Sequence, residues 1–485
     1  MDGGYNMYDI CIIGAGVIGA NIARELAKYK VKVCLIEKEE DVSCGASKAN
    51  SGIVHGGYSD KPGSLKAKLC VQGNRMYEGF NKELNFGYRE TGSLVLAFRD
   101  EDIITLQKLY QYGMENEVGG LKIIDGEQAR IMEPYVSKEV KAALYCANAG
   151  VTSPYEFVIA LTENAVTNGV DLKLNTAVIG IGKNDDYFEL TTNREKIQGR
   201  YIINAAGIYS DKISNMVGID DFQITPRRGQ YVLLDKEQNY LVKTVIFQVP
   251  TELGKGILVT TTYHGNLMIG PNAEDIGNKE DVGTTEEVLA QIVLAARKSV
   301  PDFNMKKAIT SFSGNRPFAN QKDWIIEESR VPGFINLVGI DSPGLTSSPA
   351  IALRVVEILG QCGVALAHNP DFKPYRTPII KVKDASFKGD INGTNSEEKI
   401  ICRCEQVTEA EIIDALQRCI PVQSIDGIKR RTRAGMGYCQ GGFCRKRVQE
   451  VISRQLNIPL EEVSLRGKDS PGLPERAERK EYKKL

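Results

Sequence analysis

Four cysteines late in the sequence are spaced for metal chemistry. Cys402 and Cys404 stand in "ICRCEQ", and Cys439 and Cys444 in "GYCQGGFCRK", giving C-x-C, a long spacer and C-x4-C. Four thiolates bind either zinc or an iron–sulfur cluster, and structural zinc sites more often use C-x2-C pairs. Gly441 and Gly442 allow a fold tight enough for Cys439 and Cys444 to converge, with N–H groups within reach of sulfur. Cys419 lies in the same stretch but outside the pattern and reads as a buried helix residue. The eleven cysteines are an odd number spread over 485 residues. That argues for reduced thiols with a ligand subset rather than a disulfide framework.

A second chemical signature opens the chain. "YDICIIGAGVIGANIARELAKYKVKVCLIEKEE" is an apolar strand, a glycine-rich turn, a helix and a second strand ending in an acid. In such a βαβ unit Gly14 permits the turn, Gly16 lets the backbone approach a pyrophosphate, and Gly19 allows close helix–strand packing. The helix N-terminus offers N–H groups and a positive dipole end, and Glu37 is placed to accept from ribose hydroxyls. Ala23 and Ala27 complete the helix face. No second GxGxxG follows in the middle of the chain, so one dinucleotide is expected, FAD or NAD.

Three further segments carry a resemblance. "SKANSGIVHGGYSDKPGSLKAKLCVQG" resembles the stretch after the first βαβ unit of L-2-hydroxyglutarate dehydrogenases and, less closely, of FAD-dependent glycerol-3-phosphate dehydrogenases. "INAAGIYSDKI" and "INLVGIDSPGLTSSPAIA" resemble later flavin-contacting segments of the same family, the FAD-dependent enzymes of the D-amino-acid-oxidase type. The resemblance covers residues 7–370 and implies FAD, with Ser47, Ser51, Gly52, Ala206, Gly207, Gly339, Gly344, Leu345 and Thr346 beside it. Physically, both later segments are strand-to-helix turns built from small residues. The resemblance further implies that the helix starting near Gly344 points its N-terminus at the flavin pyrimidine, where a positive dipole favours the reduced anion. The terminal cysteine segment is similar to the bacterioferritin-associated-ferredoxin-like module, which implies a 2Fe-2S cluster on Cys402, Cys404, Cys439 and Cys444.

Flavin oxidation of a secondary alcohol needs a hydride acceptor, a base for the hydroxyl proton and fixed positive charge for an anionic substrate. Of three histidines, His55 and His264 lie in segments expected near the flavin, each as base or as a hydrogen-bonding residue. Arg316, in "SFSGNRPFAN", stands where the resemblance implies an arginine for substrate carboxylate or phosphate. Arg228, Lys66 and Lys68 are weaker candidates. The two-module layout resembles dehydrogenases of glycerol 3-phosphate, although "DSPGLTSS" replaces the Gly-Gly-Lys common in them. The expectation is an FAD-dependent dehydrogenase oxidising sn-glycerol 3-phosphate to dihydroxyacetone phosphate and exporting electrons through the cluster. The accepting partner would be a second flavoprotein or small redox subunit. Alternatives are L-2-hydroxyglutarate or another 2-hydroxy acid, an amino acid or amine, and, in another class, an electron-transfer subunit with a vestigial pocket.

These residues need positioning elements. The expected fold is α/β: a Rossmann-like FAD-binding domain from 1–80, 146–225 and 311–370, with an antiparallel-sheet substrate domain from 81–145 and 226–310. The runs "RGQYVLLD", "TVIFQVP", "GILVTTTYH" and "NLMIGP" supply the latter's strands. Residues 371–399 read as a linker, 400–455 as a small helical iron–sulfur module opened by a capping box at Thr408 and Glu411, and 456–485 as a tail. The net charge of -1 offers no pull toward nucleic acid or anionic membrane. No apolar run is long enough to span a bilayer and no signal peptide is evident, so a cytoplasmic protein is expected.

Overall fold

Strand Met7–Ile13 is buried on both sides from Ile10 onward, which suits the centre of a parallel sheet. In a computed structural model, which describes residues 7–250, 256–383, 386–467 and 470, it lies between two parallel neighbours, Val33–Ile36 and Lys196–Asn204. Phe334–Val338 adds a further parallel strand beside Lys196–Asn204. The register aligns Ile13 with Ile36 and with Asn204, and Asn204 with Asn336. Consequently the turns that begin at Gly14, Glu37 and Ala205 leave the sheet along one edge, the place where open α/β sheets bind ligands.

Helix Val17–Leu26 crosses between the first two strands, with Ala20, Ala23 and Leu26 fully buried. Helices Leu65–Leu84 and Gly344–Gln361 pack beside it. Gly73 makes that packing close, since a Cβ there would stand 2.2 Å from the Thr346 carbonyl oxygen.

A second, nine-stranded sheet is built around Ile224–Leu234, which pairs antiparallel along its length with Ala308–Ala319. The four quoted runs all form its strands. One junction departs from the antiparallel expectation: Val245–Gln248 runs parallel to Ser93–Ala97. Leu96, Ala143, Val232, Ile246, Val259 and Ile269 form its core, under helix Glu286–Ser299.

These elements belong to one compact unit, Met1–Lys38 with Val42–Arg376. A second unit takes Glu39–Asp41 together with Thr377–Leu485. Its core is Ile412, Ala415, Ile428, Val448 and Ile452, contributed by helices Glu409–Gln417, Ile425–Thr432 and Arg445–Leu456. The expected capping box is present: Thr408 Oγ1 accepts from the Glu411 N–H at 3.3 Å and Glu411 Oε2 from the Thr408 N–H at 2.8 Å. The stretch 371–399 is anchored within each unit, Arg376 pairing with Glu163 in the first and Lys383 with Glu411 at 2.7 Å in the second. Of the tail, Val463 is fully buried in the second core, and 471–485 lie outside the described residues.

Candidate functional site

At the sheet edge Gly14 adopts φ +107°, and a Cβ there would stand 2.5 Å from the Ala205 carbonyl oxygen. A side chain is thus excluded twice, by conformation and by space. At Gly19 a Cβ would lie 1.9 Å from the Gly14 carbonyl oxygen, so this glycine sets the helix against the turn. Glu37 Oε2 accepts from the Ala15 N–H at 2.8 Å, and Ser47 Oγ accepts from the Val17 N–H at 2.9 Å, beside Gly16. Around Ala206 and Gly207 the surroundings are open: a Cβ at Gly207 would meet nothing within 4 Å. A cradle of small residues, open on one side and walled by backbone on the other, fits a dinucleotide. Gly14, Gly16 and the 17–26 helix N-terminus would hold its pyrophosphate, and Glu37 its ribose.

The later segments meet this cradle. The Ser47–Gly52 stretch abuts strand Ala308–Ala319, because a Cβ at Gly314 would stand 1.9 Å from the Ala49 carbonyl oxygen. The Gly52 carbonyl then accepts from the Thr152 N–H at 2.7 Å, leading into strand Ile53–Val54. Helix Gly344–Gln361 begins at the expected residue: Gly344 N–H donates to the Asp341 carbonyl at 2.6 Å, and the Leu345 carbonyl accepts from Tyr77 Oη at 2.6 Å. Thr346 Oγ1 accepts from the His55 N–H at 2.9 Å. Gly339, with φ +73°, is needed for packing, a Cβ there being 2.8 Å from Ala319 Cβ.

Sequence reasoning missed the clamp at the strand ends. Buried Asn204 Nδ2 donates to the Ser210 carbonyl at 2.8 Å, Ser214 Oγ at 3.0 Å and Asn336 Oδ1 at 3.0 Å. The repeated Ile-Asn pairs of "IINAAG" and "FINLVG" were its visible signal.

The two histidines are held separately. The His55 ring stacks on Phe247 at 5.8 Å, whereas His264 Nε2 faces Glu156 Oε1 at 2.6 Å. Glu156, at the start of helix Pro154–Thr167, is a second residue the sequence did not flag. Arg316 stands opposite Arg227 across two paired strands, and its Nη2 donates to the Asn272 carbonyl at 2.6 Å. Its Nε is buried without a protein partner. That orphaned donor fits an anion that a ligand would bring. Arg228 Nε is likewise buried without a partner, but two carboxylates neutralise that guanidinium, Asp281 at 2.7 Å and Glu274 at 3.0 Å; Lys66 binds Asp341 at 2.7 Å, and Lys68 is exposed.

In the second unit, Cys402 ends strand Ile400–Cys402 and Cys444 is the N-cap of helix Arg445–Leu456; Cys404 and Cys439 sit in turns. Cys404 and Cys439 sulfurs are 3.8 Å apart. Cys402 pairs with Cys444: the thiol of Cys444 and the N–H groups of Gly435 and Glu405 hold Cys402 down to about 6, against burial. The same bond pushes Cys444 up. Burial opposes ionisation of Cys439, yet the N–H groups of Phe443 and Gly441 bring it below its ordinary value. The Gly442 N–H instead serves the Cys439 carbonyl at 2.9 Å. Cys419 corrects an expectation: it is exposed and lies beyond helix Glu409–Gln417, which ends ahead of Pro421 because residues before proline disfavour the α conformation.

Among the described residues no three His, Cys, Asp or Glu side chains converge on one metal position. The four sulfurs form two pairs instead. Two pairs suit a two-iron cluster, one pair for each iron, whereas a single zinc needs all four together.

Comparison with known proteins finds a family match for each unit. The "FAD dependent oxidoreductase" family model matches residues 9–358. The chain is an FAD-dependent oxidoreductase. The oxidoreductase also carries a BFD-like [2Fe-2S] binding domain at residues 400–454, so its cofactors are FAD and a 2Fe-2S cluster. It is 48% identical to a glycerol 3-phosphate dehydrogenase of Caloramator mitchellensis over 94% of this chain and 96% of that one. Its fold is similar to that of the dithionite-reduced L-alpha-glycerophosphate oxidase of Mycoplasma pneumoniae with FAD bound, at TM-score 0.73 and 32% identity, covering 76% of this chain and 98% of that one. The human mitochondrial L-2-hydroxyglutarate dehydrogenase is 33% identical over 55% of this chain and 61% of its own length. No helix among the described residues is long and apolar enough to cross a membrane.

Proposed function

We propose that this oxidoreductase oxidises the secondary alcohol of sn-glycerol 3-phosphate to the ketone of dihydroxyacetone phosphate and passes the electrons to a partner protein. The observation that carries the reading is Arg316, whose buried Nε has no protein partner and whose guanidinium lies two residues from the Gly314 contact with Ala49. A guanidinium fork suits a phosphate. The similarity to glycerol 3-phosphate enzymes over nearly the whole chain supports the same substrate.

When bound, FAD supplies a hydride acceptor and the 2Fe-2S cluster a one-electron carrier. The protein's part is to bind and orient. Arg316 grips the phosphate, and the substrate is enclosed between the parallel sheet and the nine-stranded sheet. His55, held at its backbone by Thr346 and at its ring by Phe247, takes the hydroxyl proton. His264 is a positioning residue, oriented by Glu156. A hydride acceptor in series with a one-electron carrier suits a partner such as a second flavoprotein or small redox subunit. The odd count of eleven cysteines argues against a disulfide framework and supports a reducing, cytoplasmic setting.

The test is anaerobic flavin bleaching without a partner, comparing glycerol 3-phosphate with L-2-hydroxyglutarate. Rapid bleaching by glycerol 3-phosphate alone is expected. Bleaching by L-2-hydroxyglutarate alone would transfer the enzyme to 2-hydroxy acids, and bleaching by neither would favour an electron relay.

A further inference from the structure

The exposed edge of the cysteine centre has a chemistry of its own. Cys402 and Cys444 are buried, whereas Cys404 is exposed and Cys439 half-buried, so one sulfur pair faces solvent. Two large aromatic side chains flank that pair: Tyr438 is 65% exposed and Phe443 84%. Aromatic residues of this size seldom stand so far out of a surface without a partner, and they are enriched in protein interfaces. Phe443 is also in contact with the centre, because its N–H reaches Cys439.

Cations predominate around the edge, the exposed exception being Glu450, 3.9 Å from Lys446 one helical turn on. Arg403 and Lys446 are exposed, and Arg445 and Arg447 half-buried; the Arg445 side chain lies against Gly441. The one carboxylate within either cysteine segment, Glu405, is turned inward onto Arg433 at 2.8 Å, with both side chains more than nine-tenths buried. Its charge is therefore neutralised away from the surface. The whole chain has a net charge of only -1, so this cationic collar is a local feature rather than a general bias.

We propose that Arg403, Tyr438, Phe443 and Lys446 form the docking surface for a small one-electron carrier protein with an acidic face around its redox centre. The inference rests on the electron-export reading above and specifies its partner. Each alcohol oxidised to a ketone releases two electrons and two protons. Two oxidised carriers each take one electron, and the protons pass to solvent. Opposite charges steer the encounter and set its orientation, while the aromatic pair excludes water from the contact. Attraction between exposed charges of this kind is screened by salt.

The test uses the holoenzyme with glycerol 3-phosphate, without oxygen. Two probes are compared, cytochrome b5 as an acidic one-electron protein and cytochrome c as a basic one. Binding of each probe is measured directly by surface plasmon resonance, alongside the rate of its reduction. Cytochrome b5 is expected to bind and be reduced faster at low salt, with both effects falling at least tenfold when salt is raised. Arg403→Glu with Lys446→Glu should lower cytochrome b5 affinity and rate at least tenfold while leaving those of cytochrome c equal or higher. Phe443→Ser should weaken b5 binding at every salt concentration. Visible absorbance of the cluster checks each variant, and if the double variant lacks it, Arg403→Gln and the wild-type salt titration decide. Reduction of cytochrome b5 that ignores salt and charge reversal would overturn this surface while leaving electron export intact. Substrate bleaching of the flavin with no reduction of either protein would overturn the export reading itself. Binding of a second copy of this chain at the patch, in place of cytochrome b5, would also overturn it.

Discussion

The side chains proposed to meet the substrate differ in the partners they already have. Both Arg228 and Arg316 have a buried Nε without a protein partner, but two carboxylates hold the Arg228 guanidinium, whereas that of Arg316 donates to the Asn272 carbonyl. Removing a charged partner from a buried anion contact costs about 2–5 kcal/mol. Arg316→Ala should therefore lower kcat/KM for glycerol 3-phosphate by about 10²–10³, and Arg316→Lys should restore only part, because a point charge lacks the fork. Steady-state kinetics with the flavin content held equal checks this. His55→Asn should reduce kcat by about 10²–10⁴ with the flavin retained, the range for losing a general base. Should stopped-flow bleaching by substrate stay at the wild-type rate in that variant, His55 is not the base.

At the scale of elements, turns and caps decide whether each cofactor has a home. Gly14→Ala adds a Cβ 2.5 Å from a backbone oxygen at a left-handed φ, so the 14–16 turn must move. The expected result is a protein that folds but is purified with little FAD, read as the flavin-to-protein absorbance ratio. Thr408 and Glu411 are buried, and their reciprocal cap starts the helix that follows the first cysteine pair of the sequence. Thr408→Ala should destabilise the second unit by about 1 kcal/mol, visible as a lower urea midpoint for cluster absorbance.

For the whole molecule, the chain leaves its first unit after Lys38, next to Glu37. Glu39–Asp41 belongs to the second unit, where fully buried Asp41 accepts from Arg430 at 2.7 Å and Arg431 at 2.6 Å. Asp41→Asn removes the carboxylate that holds buried Arg431, while Arg430 keeps Asp426 at 3.3 Å, and breaking a buried pair costs about 3–5 kcal/mol. Loss of cluster absorbance at lower urea is the expected signature, and an unchanged midpoint would show that the triad contributes no net stability. Cys404→Ser breaks the exposed sulfur pair and should abolish reduction of one-electron protein acceptors, while anaerobic bleaching of the flavin by substrate persists.

By itself the sequence determined the dinucleotide turn, the four cysteines, the capping box and the runs that become strands. Each is a local pattern in which spacing along the chain dictates backbone geometry. One departure was also local in origin, since Cys419 escaped its helix because of Pro421, whereas the parallel junction joins strands far apart in sequence. Tertiary structure alone decided which arginine remains available, which sulfurs pair, that Glu156 orients His264, and that Asp41 sits under Arg430 and Arg431. Those are partnerships between residues far apart in sequence. No periodicity records them, because a side chain's charge and hydrogen bonds are settled by whatever the fold brings against it.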